Sequence, residues 1–343
     1  MKTHNYSKFA AALLLLALCS TVVSAQNAAP QTAPSRIVMG GRAVVMVADA
    51  LYAFPSARER VVAVGIADQG LGAFLNAVAP GFNQKPGLDR AAGAEEYAAL
   101  NPDLVILKSA MKARLGGDLD RLAIPALYLN LESPEDYYQE LTTLGTILGD
   151  EARAAELVNY YRLTVQRAAA VAAAVAATAA AKPRVLVVQS STSGLQIPPD
   201  AWIQTRMVEL AGAQAVWKGQ NPGSGWLTVN IEQIAAWNPD WLVVISYDER
   251  IDQVLAALKA DARLRALPAV RSGRVAGFPQ DFYSWDQPDT RWGLGLLWLT
   301  RTLHPELARG IDIGSEARRF FSLFYQMDEA AYRQHIQSRL SGL

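Results

Sequence analysis

The chain has 343 residues, and its 32 Lys plus Arg are balanced by 32 Asp plus Glu, giving a formal net charge of zero. That balance excludes a general nucleic-acid binder, which needs a basic surplus to meet phosphates. Hydrophobic residues make up 51% of the chain, enough for a large core, and a lone cysteine excludes both an internal disulfide framework and a thiolate metal cluster.

In chain order, Lys2 and Lys8 flank the start of an apolar stretch, Phe9 to Leu18, followed by Val23-Ser24-Ala25. A basic start, a short apolar segment and a small-x-small site predict an export signal over 1–25, cleaved after Ala25. The apolar segment is too short for a stop-transfer helix. Lipid attachment at Cys19 is the rival reading, which Leu18 fits poorly because a small residue is expected there. Cleavage would remove two lysines, no acid and the only thiol, leaving a slightly acidic periplasmic chain held by its own core. Residues 26–35, polar and rich in Pro and Ala, predict a flexible leader.

From Arg36 onward, short apolar runs alternate with helical stretches. Val44–Val47, Val61–Val64, Leu104–Leu107 and Ala126–Leu129 read as buried parallel strands of a first lobe, 36–149. Asp150–Ala181 holds no Gly or Pro. Leu157, Tyr160, Tyr161 and Val165 form an apolar stripe at helical spacing, so 150–182 predicts one long linker helix. After Lys182-Pro183 the alternation restarts with strands Val185–Val188, Trp241–Ile245 and Val275–Phe278. Glu316–Leu340 predicts a closing amphipathic helix or helix pair, and 183–343 is the second lobe.

One phrase occurs in both halves. Glu95 to Lys108 reads EEYAALNPDLVILK, and Glu232 to Ser246 reads EQIAAWNPDWLVVIS. Each places a Glu six residues before Asn-Pro-Asp, with an apolar run after it. A period this long predicts two related lobes, hence a cleft for a ligand. Asn-Pro-Asp reads as the turn that stops a helix and starts a strand. A shorter echo joins Leu122–Ala126 to Leu264–Val270, each built around a Pro-Ala pair.

The chemistry-bearing motifs are few. His304 and His335 read as cap and surface residues. G-x-S-x-G and G-x-x-x-x-G-K do not occur, and Gly70-Leu71-Gly72 fails as a dinucleotide fingerprint at its third glycine. No catalytic residue, metal ligand or cofactor is therefore assigned. All eight Trp lie after residue 200. Trp237, Trp241, Trp292 and Trp298 read as core. Trp202, Trp226 and Trp285 stand among Gly, Pro, Ser and Asp in segments leaving strand ends, where open α/β sheets bind ligands, and aromatic walls suit a flat ligand. Lys108, with Lys112 and Arg114 close behind, and Arg206 and Arg291 are candidates to clamp an anionic group. Tyr247 and Tyr283 could stack on a ligand or donate to it.

Taken together, the export signal, the helical strut and the E-x-x-x-A-L/W-N-P-D phrase in both halves resemble the substrate-binding proteins of iron-complex and vitamin B12 ABC importers. The resemblance runs from about Arg36 to Leu307. Tyr283–Pro288, Arg291–Trp298 and Leu303–Glu306 are similar to the branch that includes molybdate and tungstate binders. The resemblance implies an α/β fold of two Rossmann-like lobes, with mostly parallel sheets joined by one long rigid helix. It also implies a monomer that performs no chemistry and carries a metal chelate (ferric siderophore, haem or corrinoid) between its lobes to the dimeric permease of an ABC importer. One surface Glu per lobe docks on the permease in that family, which falls on Glu95 and Glu232, with Glu96 beside the first. A molybdate or tungstate oxyanion is the same-fold alternative. An exported two-lobed hydrolase or transferase is the alternative of another class, and would need an acid/base pair or nucleophile facing the cleft.

Overall fold

A computed structural model describes residues 33–67, 70–178 and 181–343. The export signal and residues 26–32 of the expected leader lie outside the described residues. No helix among the described residues is long and apolar enough to cross a membrane.

Two sheets carry the fold. The first contains β1 (Ile37–Met39), β2 (Val61–Gly65), β3 (Gly87–Leu88), β4 (Leu104–Lys108) and β5 (Ala126–Leu129), in the order β3-β2-β1-β4-β5 and parallel throughout. The second contains β6 (Arg184–Ser191), β7 (Gly194–Ile197), β8 (Gln214–Ala215), β9 (Leu227–Thr228), β10 (Trp241–Ile245) and β11 (Val275–Gly277), in the order β11-β10-β6-β7-β9 with β8 beside β6. Its β11-β10-β6 part is parallel, and β7 runs antiparallel to both β6 and β9. Between the sheets in sequence runs a helix, Glu151–Ala177. It buries Leu157, Tyr160 and Tyr161 of the predicted stripe against the Trp292–Leu303 helix and the Ile313–Tyr325 helix.

One predicted strand was wrong. Val44–Val47 lies in a helix, Val44–Tyr52, and the first strand is the shorter run Ile37–Met39 before it. The cause is local. Gly40 and Gly41 end the strand, and Gly41 takes φ of +74°. The apolar run after them is buried on every residue through Tyr52, and such a run cannot be told from a buried strand by periodicity. The closing segment also differs: its helix spans Ile313–Tyr325 and stops where Gln326 turns left-handed at φ +56°. The shorter echo is not structural either, since Pro125 precedes a strand whereas Pro268 opens a one-turn helix.

The long repeat is structural, and extends further than the phrase. Asn101 and Asn238 both sit in the left-handed region, at φ +46° and +42°, a conformation Asn tolerates better than most residues. The Asp103 carboxylate accepts the backbone N–H groups of Ser35 and Arg36 at 2.7 and 2.9 Å. These bonds, against a desolvation cost, hold its pKa below the usual carboxylate range. Asp240 accepts the Arg184 N–H at 2.8 Å. In return the Arg36 guanidinium donates to the carbonyls of Leu100 and Asn101, and that of Arg184 to Trp237. Each Asn-Pro-Asp turn is thus tied to the arginine that opens the neighbouring strand.

Candidate functional site

The order β3-β2-β1-β4-β5 reverses between β1 and β4, so the loops after those strands diverge and leave a crevice at their C-terminal ends. Arg42 stands exposed in the loop after β1. Lys108 ends β4 and is buried. Its ammonium donates to the Asn130 carbonyl and pairs with Glu132 Oε1 at 2.8 Å. Glu132 leaves the end of β5, and its second oxygen, Oε2, is buried without a hydrogen-bond partner. The same turn is held by Glu140, which accepts from Asn130 and Leu131 N–H at 2.6 and 2.8 Å, and by Asp136, which accepts from Asn130 Nδ2 at 2.8 Å.

The second sheet supplies an aromatic wall. Trp202, Trp226 and Tyr247 are half-buried. Trp202 meets Trp226 edge to face with ring centroids 5.6 Å apart, and Trp226 meets Tyr247 in the same way at 6.1 Å. The Tyr247 hydroxyl donates to Asp286 Oδ2 at 2.7 Å, and Gln204 Nε2 donates to the same oxygen at 3.0 Å. Both partners are almost wholly buried. Burial raises the Asp286 pKa to about 6, against the hydrogen bonds from Ser284, Gln204 and Tyr247 that lower it. Burial first, then the Asp286 charge, pushes the Tyr247 phenol well up, with a smaller push from Glu132.

Of the residues predicted to meet ligand, Trp202, Trp226, Tyr247 and Lys108 therefore lie at the strand ends. Arg114 is on a helix flank, donating to the carbonyls of Ala91 and Ala92 at 3.0 and 3.2 Å, and Arg206 pairs with Glu209 at 2.9 Å on its own helix. The expectation that Tyr283, Trp285 and Arg291 line an open loop needs correcting: their loop is packed into the core, leaving them 4%, 0% and 0% exposed. Asp281 draws them in, accepting from Trp285 Nε1 at 2.8 Å and from Arg291 Nε at 2.9 Å. Sequence reasoning missed Arg42, Glu132, Gln204 and Asp286. The strand-end rule that found Lys108 could have found Arg42 and Glu132. Asp286 stands beside Trp285 and carried no signal of its own.

Glu95 and Glu232 occupy the same position, second in the helices Ala94–Ala98 and Ile231–Trp237, and both are exposed. Glu96 is taken, its Oε2 accepting the Gly93 N–H at 2.8 Å. A surface groove of about 520 Å³ runs beside Glu232, lined by Leu195, Glu249, Val254, Leu258 and Arg263 among others. It belongs to one flank of the second sheet and contains none of the aromatic wall.

The fold is that of the two-lobed solute-binding proteins. The chain belongs to the periplasmic binding protein family, whose model matches residues 55–282. The molybdate-binding protein MolA of Haemophilus influenzae is 26% identical over 121 residues, 35% of this chain and 33% of that protein, so the match spans about a third of that relative. An ABC transporter solute-binding protein from Sulfurospirillum deleyianum shares the fold with a TM-score of 0.72 at 20% identity, covering 89% of this chain and 94% of that one. A periplasmic haem-binding protein from Pseudomonas aeruginosa gives a TM-score of 0.59 at 23% identity, covering 80% and 94%.

Proposed function

We propose that the protein is the extracytoplasmic receptor of an ABC importer and carries a metal chelate (ferric siderophore, haem or corrinoid) between its lobes. It performs no chemistry on that ligand and works as an exported monomer. The observation that carries the reading is the half-buried Trp202–Trp226–Tyr247 wall beside the strand ends of the second sheet. Soluble proteins rarely leave aromatic edges and faces half open unless something covers them. A molybdate or tungstate ligand is the second reading, favoured by the relative named as a molybdate-binding protein. A small oxyanion has less use for three aromatic rings.

Metal analysis and native mass spectrometry of the protein purified from its own host test the reading. The expected result is a stoichiometric chelate that quenches tryptophan emission. Full affinity in both Trp202→Ala and Trp226→Ala would remove the wall from the site.

Delivery requires contact with the permease. We assign that contact to Glu95 and Glu232, which are exposed at matching positions, while Glu96 is committed to its own helix cap. The double variant Glu95→Ala/Glu232→Ala should lose uptake in cells and keep ligand affinity in solution. Undiminished uptake by that variant refutes the assignment.

A further inference from the structure

Four ionisable side chains meet in the core where the Val44–Tyr52 helix of the first lobe reaches the head of the Trp292–Leu303 helix of the second. Asp49, Asp281, Asp289 and Arg291 are all fully buried. The three carboxylates touch one guanidinium: Asp281 at 2.9 Å from Nε, and Asp49 Oδ2 and Asp289 Oδ2 at 2.6 and 3.5 Å from the same Nη1. Fully ionised, the cluster holds an excess of two negative charges away from water, which is costly. The carboxylates are unequally supplied. Asp281 also accepts from Trp285 Nε1 at 2.8 Å and from the Phe282 N–H at 2.6 Å, so it is the counter-ion of Arg291. Asp289 accepts the Arg291 backbone N–H at 2.7 Å. Asp49 Oδ1 is buried without a hydrogen-bond partner, and a charged oxygen left so is costlier than a neutral one. The other titratable groups facing Asp49 and Asp289 are tyrosines. They are Tyr137 of the Pro134–Leu148 helix, Tyr161 of the Glu151–Ala177 helix, Tyr325 of the Ile313–Tyr325 helix, and Tyr283 of the loop before Arg291. Burial above all raises each phenol beyond its ordinary 10, so all four stay neutral. No three acids among the described residues are placed to share a metal ion. A proton is the charge that fits.

We propose that the Arg291 cluster is a proton-dependent latch between the lobes. Asp49 and Asp289 together hold one proton; with it the cluster fastens the Val44–Tyr52 helix to the Trp292–Leu303 helix, and its loss loosens them. Burial, against the pull of Arg291, raises the Asp49 pKa to about 6 and that of Asp289 well above its ordinary 3.8. Such neighbours titrate as a pair. Both folded values exceed the unfolded one. The stabilisation is therefore complete below about 3.8 and is lost as pH rises through about 6 and beyond. A receptor outside the cytoplasm meets the pH of its surroundings directly. Its lobes are then held fast in mildly acidic medium and freer in alkaline medium, whatever ligand the cleft takes.

The experiment follows the aspartate carboxyl carbons, labelled with carbon-13, by NMR from pH 4 to pH 9 in the unaltered protein. Asp49→Asn, Asp289→Asn and Asp286→Asn assign the signals. More than one carboxyl should titrate at about pH 6 or above, since Asp286, held by Tyr247 and Gln204, accounts for one. A single such carboxyl, or none, overturns the proposal without recourse to any variant. Urea unfolding at pH 5 and pH 8 gives the energetic readout. Between the two, the unfolding constant of the parent should rise about tenfold more than that of Asp49→Asn, as a shift from 3.8 to about 6 requires. Hydrogen exchange, corrected for the intrinsic effect of pH, separates a latch from a general effect. The Val44–Tyr52 and Trp292–Leu303 helices should lose protection at pH 8 in the parent, and less so in Asp49→Asn. Equal pH responses in the parent and both junction variants overturn the proposal, as does protection that changes evenly across the two sheets. Asp286→Asn should leave the junction titration in place, and its disappearance there overturns the assignment to Asp49 and Asp289.

Discussion

At the scale of single residues, Asp286 is the most informative side chain. Its carboxyl is fully buried, fixes Tyr247 and Gln204, and titrates near 6 in the fold against an ordinary 3.8. A folded pKa above the unfolded one means that the fold prefers the protonated acid. Its stabilising contribution is complete below about 3.8 and is lost as pH rises through about 6. A shift of about two units is worth roughly 3 kcal/mol. Asp286→Asn should therefore be relatively more stable than the parent at pH 7.5 than at pH 4, and denaturant unfolding at the two pH values checks this. An equal difference at both would show that Asp286 is not buried as described. The wall itself was readable in the sequence, because Gly, Pro and Ser around Trp202 and Trp226 place them in loops. The same rule misled at Trp285 and Arg291. Their loop is folded into the core by Asp281 and by Asp49, which is 242 residues from Arg291. Nothing short-range encodes that pairing.

Among the elements, the Asn-Pro-Asp turns set the start of β4 and β10. Asn238 is held at φ +42° and serves as the C-cap of the Ile231–Trp237 helix. Glycine takes that conformation without the Cβ clash. Asn238→Gly should be close to neutral, whereas Asn238→Val should cost about 1–2 kcal/mol. Asp240→Ala removes the acceptor of the Arg184 N–H and should cost a further ~1–2 kcal/mol. Thermal unfolding of the three variants orders them, and a Val variant as stable as the Gly variant would contradict the backbone assignment. The turns were legible because Pro and Asn punctuate the chain. The arginines that brace them were not, since Arg36 and Arg184 lie 67 and 56 residues from their aspartates. The lost strand at Val44–Val47 marks the opposite limit. Apolar content gave burial correctly there but not the backbone period, and only Gly40-Gly41 ahead of it hinted at the break.

For the whole molecule, the packing between the two sheets decides how the ligand is admitted. Arg291, at the head of the Trp292–Leu303 helix, pairs with Asp49 on the Val44–Tyr52 helix at 2.6 Å and with Asp281 at 2.9 Å. Its guanidinium lies 4.2 Å from the Phe74 ring centroid. Phe74 in turn packs on Phe282, Phe321 and Tyr325, and the Tyr325 hydroxyl is 2.6 Å from Thr290 Oγ1. The Leu71 N–H donates to the Phe282 carbonyl at 2.7 Å, adding a backbone tie. Gly70, at φ +101°, lies so close to the Tyr283 ring that a Cβ there would collide with it. A hinge running through this region would have to break a buried ion pair and an aromatic cluster together. Such elements switch between packed states rather than bending gradually. The lobes should therefore rock only slightly, and the small-angle scattering curve should be nearly the same with and without ligand. Arg291→Met leaves Asp49 and Asp281 without their counter-charge and should destabilise the fold by about 3–5 kcal/mol. Asp49→Asn should cost less, because it keeps the shape and an acceptor oxygen for Arg291 and removes a charge that burial already opposes, raising the Asp49 pKa to about 6. Hydrogen exchange localises the effect. Both variants should speed exchange in the Val44–Tyr52 and Trp292–Leu303 helices before the outer strands β3 and β9. Uniform acceleration across the two sheets would mean that the Arg291 cluster stabilises the chain as a whole without specifically locking the lobes.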